Sequence, residues 1–230
     1  TRDLAKVETA GSSPVYRSNK KIATKIVYIK KEADMRKKSH ISLAWYLMNS
    51  EGMESIQRHR GLFYIGSVLP DCLPSFIVRK HTMEDSFGVV EKELRKMVSH
   101  YNPREGLNRR FFIHLGVITH YISDYFTFPH NVNYNGKLKD HCIYEEELKH
   151  AIRSYVKSPE AVRKRLGERV HSPEMILAFI KRMYQLYSQT ESGVTRDCEY
   201  IVCLNHTIVD AILLFFEKGY NLSAYASVSC

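Results

Sequence analysis

The sequence predicts an all-α fold, a multi-helix bundle of about eight helices forming one domain over residues 35–230. Three observations predict it. Apolar residues recur at helical spacing, as at Phe87, Val90, Leu94 and Val98. The stretch from Leu107 to Phe126 is apolar almost all round, which marks a helix buried in a core rather than lying on one. No segment alternates apolar and polar residues with the period of a half-buried strand.

The elements follow in order. Ser39 is placed to cap a first helix through Leu43, Leu47 and Met48. Gly61 to Asp71 is apolar and ends at Pro70; a short buried helix and an extended turn fit it equally. Thr82 and Asp85 have the spacing of a capping box, with Asp for Glu, and lead into the helix of Phe87. Pro103 and Gly106 mark a loop before the long apolar helix, which Pro129 closes. Asp140 is expected to cap a helix through Tyr144, Leu148 and Ile152. Pro159 is expected to start a short helix, and Pro173 one over Met175 to Tyr187. The last helix is expected from about Arg196 to Lys218, stopped by Gly219.

Composition narrows the class. Hydrophobic residues are 44% and charged residues 26%, enough to bury a sizeable core. The longest apolar run, Ile208 to Phe216, is short and carries Asp210, so no transmembrane segment is expected. The net charge is +9, of which residues 1–34 contribute eight Lys/Arg against four Asp/Glu. The remaining basic bias suits an anionic partner, and a transient contact with a membrane surface is expected. Five cysteines, an odd number, stand without a signal peptide, which predicts free thiols and a cytoplasmic location. Residues 1–34 show no helical or strand period; they read as a disordered or non-native leader, with Met35 as the start.

Eight residues stand out against this frame: His40, Asp71, His81, His120, Asp124, His130, His141 and Glu145. His120 and Asp124 are four apart, so both project from one helix face, and His141 and Glu145 repeat the spacing on the next helix. A histidine–carboxylate pair on each of two helices is a bundle recipe for a dinuclear site. Imidazole with carboxylate suits zinc, and the series is too long for one ion. Such metal clusters commonly act on phosphate esters. His59, His100, His150, His171 and His206 read as surface or packing residues, and His114 as a core or supporting residue on another face.

The ordered series resembles the zinc-dependent phospholipase C family, which includes bacterial lecithinases and the catalytic domain of clostridial alpha-toxin. The match runs through His40, Asp71 in G-S-V-L-P-D, His81, then His120-x3-Asp124-x5-His130 and His141-x3-Glu145. The resemblance implies an all-helical fold and two to three zinc ions. One would take Asp71, His81, His120 and Asp124; a second His130, His141 and Glu145; a third His40, with Asp124 bridging. It further implies hydrolysis of a phospholipid or related phosphodiester by a zinc-activated hydroxide, with Asp71 as the catalytic residue that orients or deprotonates the water. The family completes the third zinc with an N-terminal tryptophan. Here the single tryptophan, Trp45, follows His40 by five residues, which leaves the third ion open. Two other functions stay in view. Single-strand nucleases share nearly the same ligand order but usually end it in His-x3-Asp, and no specific nucleic-acid motif is present. A non-catalytic protein binding zinc or phospholipid is the other.

Overall fold

The computed structural model describes residues 37–50, 53–73, 80–102, 104–158, 161 and 172–228, with backbone alone at 54–56 and 218–228. The leader and Met35, Pro103, most of the segment after Pro159 (its short helix and His171) and Cys230 lie outside the described residues. Among the described residues there are seven α-helices: α1 over residues 37–48, α2 Arg60–Val68, α3 Met83–Ser99, α4 Arg109–Tyr125, α5 Leu138–Tyr155, α6 Pro173–Ser188 and α7 Val194–Val228. Short 3-10 turns precede α2 (Glu54–His59), follow it (Leu69–Asp71) and follow α4 (Phe128–His130). Among the described residues there is no strand, only one isolated bridge between Asn102 and Gly106. The all-α expectation holds, and Gly61 to Asp71 resolves as helix.

The helix ends are set by local chemistry, with some departures from expectation. Ser39 lies inside α1 and does not cap it. Thr82 caps α3: its hydroxyl oxygen accepts from the Asp85 N–H at 3.3 Å and its O–H donates to the Asp85 carboxylate at 2.9 Å. Asn108 caps α4 by accepting from Phe111 N–H, and Ser172 caps α6 by accepting from Met175 N–H. Asp140 is not a cap; it sits in the first turn of α5 and reaches back to accept from Lys137 N–H. α7 runs through Gly219 to Val228. One glycine costs a helix about 1 kcal/mol relative to alanine, too little to end it where the neighbouring residues continue it.

α4 is the axis of the bundle, with Phe112, Leu115, Ile118, Tyr121, Ile122 and Tyr125 all buried. It packs on α2, α3 and α7, while α5 and α6 close on α7. The stretch Val194–Glu217 has the length and apolarity of a membrane span, contrary to the short run read from the sequence, but 67% of that window is buried in the bundle. It is the second core helix.

α2 and α4 meet backbone to backbone. A Cβ on Gly66 would lie 2.2 Å from the Ile113 carbonyl oxygen, and one on Gly116 would lie 2.4 Å from the Phe63 carbonyl oxygen. Only glycine permits such an approach. It brings the C-terminal end of α2, and with it Ser67 and Asp71, against the histidine-bearing half of α4.

Glu93 is the buried charge of the α3–α4 seam. Its carboxylate accepts from His114 at 2.5 Å and from Lys96 at 2.6 Å. Burial pushes this carboxyl up, but the bonds from His114 and Lys96 outweigh it and hold it below its ordinary value of 4.5. A depressed carboxyl stabilises the fold above that value, and the contribution is lost as pH falls through the folded-state value. Glu93→Gln is therefore expected to cost about 2 kcal/mol at pH 7, with the gap to wild type closing under acid. Melting temperatures from pH 7 down to pH 3 check this; a gap that stays constant would refute it.

Candidate metal centre

The eight singled-out residues converge as two neighbouring groups. In the first, His81 and His120 both face Asp124. His81 Nδ1 lies 2.7 Å and His120 Nε2 3.2 Å from Asp124 Oδ2, and the two ring nitrogens are 3.2 Å apart. His40 Nε2 approaches the other oxygen, Asp124 Oδ1, at 3.3 Å, and its ring stacks on His120 with centroids 3.9 Å apart. Asp71 Oδ1 is 4.0 Å from His120 Nε2. In the second group, Glu145 Oε1 is 3.2 Å from His130 Nε2 and 2.9 Å from His141 Nε2. All eight are buried except His141, which is half-buried.

Each comes from an element with a reason to deliver it. His40 lies on the inner face of α1 with Leu43, Ala44 and Leu47. Asp71 ends the 3-10 turn that Pro70 imposes after α2. His81 immediately precedes the α3 cap. His120 and Asp124 share a face of α4 through their four-residue spacing. His130 sits on the turn that Pro129 forms where α4 has ended. His141 and Glu145 share a face of α5.

The donors fit metal ions. Zinc at about 2.0–2.1 Å from tetrahedral ligands places those ligands about 3.3 Å from one another. Four of the seven separations above, at 3.2–3.3 Å, match that edge. His120 Nδ1–H donates to the Ser67 carbonyl at 2.9 Å. In the neutral ring this leaves the Nε2 lone pair pointing at a carboxylate oxygen, an arrangement that calls for a cation between them. Asp71 Oδ2 is buried and accepts no hydrogen bond, a costly state unless a cation meets it.

The facing imidazoles and carboxylates shift one another across the site. Burial pushes the Asp124 carboxyl up, but the facing His120, His130 and His40 overcome this and hold it well below the ordinary carboxylate range. Burial pulls His120 down, yet Asp124 and Asp71 leave it raised; His40 is lowered, by burial and by His120. Between the two groups lies a cavity of about 30 Å³, walled by His40, Asp124, His130 and Glu145 and floored by Leu43, Leu148, Ile152 and Ile201. That volume holds about two waters.

Sequence reasoning missed Asp197. It stands in the buried stripe of α7 with Ile201, Leu204 and Ile208, fully enclosed. Its carboxylate accepts from Phe128 N–H, Tyr144 O–H and Tyr187 O–H, each at 2.7 Å. It thereby joins the turn that carries His130, the α5 residue next to Glu145, and α6. Burial pushes its carboxyl up, and the three donors only partly offset this. The available signal was an acidic residue at an apolar stripe position of a core helix. Asp197→Asn is expected to cost about 3 kcal/mol and to weaken metal retention severalfold. Tyr187→Phe, losing one of the three bonds, should cost about 1 kcal/mol. Denaturant melts and chelator titration measure both.

The other described histidines fall outside the two groups. His206 is buried, bonded to Ser50 and packed on Tyr46; His59 stacks on Phe112; His114 serves Glu93, not the metal groups. Cys72, Cys142, Cys198 and Cys203 are in no disulfide, and burial pushes the Cys198 thiol up to about 12.

A helical bundle that gathers buried imidazoles and carboxylates into adjoining groups, with a small cavity between, has the build of a metal-binding centre. The chain belongs to the zinc-dependent phospholipase C family: the family model matches residues 39–193, which include all eight donors and all of α2 to α6. Membership implies zinc and a phosphodiesterase or phospholipase type of function. Asp197 lies beyond the matched segment. No curated protein and no solved structure matches the chain significantly.

Proposed function

We propose that the protein is a zinc-dependent hydrolase of phosphodiesters, cleaving a phospholipid or a related phosphodiester. The observation that carries this reading is the facing of two histidine–carboxylate groups across one cavity. Bound zinc supplies Lewis acidity toward phosphoryl oxygens and makes water a competent nucleophile near neutral pH.

The chain's own groups do the rest. Asp71 is the proposed base: its buried carboxylate stands 4.0 Å from His120 Nε2, beside the first group, where it can receive the proton of the attacking water. The water oxygen bonds to phosphorus, the bond from phosphorus to the leaving alcohol oxygen breaks, and that alkoxide is protonated by solvent. The products are an alcohol and a phosphomonoester. The Ser67 carbonyl holds the His120 ring in the tautomer that presents Nε2. Asp124, kept ionised, ties His40 to His81 and His120 through its two oxygens.

Elemental analysis of wild type and His120→Ala, with bis-p-nitrophenyl phosphate and p-nitrophenyl phosphocholine as substrates, tests the proposal. Two or three zincs with turnover, both lost in the variant, are expected. His141→Ala repeats the test from the second group should His120→Ala not fold. Full zinc without turnover would make this a binding protein, and a folded wild type without zinc would overturn the reading. Preference for single-stranded DNA over both esters would assign a nuclease instead.

A further inference from the structure

We infer that α1 is a docking surface for an anionic phospholipid bilayer, seated through Trp45 and Ile41. The inference deepens the proposed function by naming the physical form of the substrate, and it rests on that reading. α1 has two unlike faces. The inner one, with Leu43, Ala44, Leu47 and Met48, is buried in the core, and His40 and Leu43 wall the cavity. The outer one carries Trp45, 52% exposed, and Ile41, 44% exposed. They are four residues apart and so share one stripe. Lys38 lies on the same stripe and is exposed, and Lys37 stands beside it. No acidic residue occurs between 37 and 48.

Core packing does not explain an indole and an isoleucine held out together on the helix that bears a site histidine. The chemistry selects one occupant. Tryptophan is favoured at the boundary between headgroups and acyl chains, where its ring is partly apolar and its N–H stays wet. Two lysines on an acid-free helix complement anionic lipid, as does the net charge of +9. Seating this face on a bilayer brings the cavity wall to within a helix diameter, about 10–12 Å, of the headgroups.

Trp45 is the chain's single tryptophan, so its emission reports on this face alone. We would record that emission for the full chain with vesicles of phosphatidylcholine, and with vesicles of phosphatidylcholine and phosphatidylglycerol in equal parts. A blue shift with the anionic vesicles, quenched by brominated acyl chains, is expected. Ile41→Glu and Lys38→Glu, which keep the reporter, should each weaken vesicle binding at least about tenfold while leaving turnover of soluble p-nitrophenyl phosphocholine unchanged. No shift with either vesicle would overturn the inference. So would an emission already blue and shielded from iodide in lipid-free solution, which would mean that the chain covers this face itself. A shift that grows with protein concentration in the absence of lipid would assign the face to a second copy and overturn it equally. Vesicle binding without turnover of any ester would leave the docking surface standing and remove the hydrolase.

Discussion

Asp124→Asn is expected to strip the first group of metal and to lower phosphodiester turnover on the order of a thousandfold or more. Asp124 pairs with His40, His81 and His120, and it does so through both oxygens. Asparagine keeps the shape but offers one oxygen and a pair of N–H donors, so one side of the bridge becomes repulsive to a cation. The substitution is buried and nearly isosteric, and most of the fold should persist. Elemental analysis together with circular dichroism separates loss of metal from loss of structure. A folded Asp124→Asn that keeps its full metal complement and activity would sink the assignment of this carboxylate.

Gly116→Ala is the second large effect. The added methyl would sit 2.4 Å from the Phe63 carbonyl oxygen and 2.7 Å from the Ser67 nitrogen, both main-chain atoms that cannot swing aside. α2 must move away from α4, at an expected cost of at least about 3 kcal/mol, or a fall in Tm of about 6–12 °C. The movement also draws the Ser67 carbonyl from His120 and Asp71 from the first group, so metal should be lost at chelator concentrations that wild type withstands. Gly88→Ala supplies the control. That glycine lies exposed in α3, and a Cβ there meets nothing within 4 Å. Alanine should stabilise the helix by about 0.5–1 kcal/mol. Thermal melts of the two variants side by side would contradict this account if they shifted in the same direction.

Much of this was legible in the sequence because its causes are local. Helical spacing located α3, α4 and α6, and the four-residue spacings of His120 with Asp124 and of His141 with Glu145 put each pair on a shared face. The order of the eight donors carried the family resemblance. What stayed hidden depends on distant segments. Asp197 meets Phe128 across 69 positions of chain, and no periodicity reports such a contact. Nothing local marks Gly66 and Gly116, since only the crossing of two helices reveals why a side chain is excluded. Asp140 was misread as a cap because a carboxylate at the third position of a helix has the same composition signature as one before its start. The extent of α7 was misread because a glycine is a permitted ending, not an obligatory one.

The hold of Asp197 on the turn of His130 also sets an order in time. The donors from His40 to Asp124 lie on a stretch that leaves the ribosome well before α7 does. The turn and α5 gain their common anchor only once α7 has been made and has closed on the bundle. Long-range contacts of this kind form late in folding because closing the intervening chain costs entropy before any contact repays it. The second group is therefore anchored only in the last stage of synthesis. A nascent chain arrested before Val194 would lack that anchor.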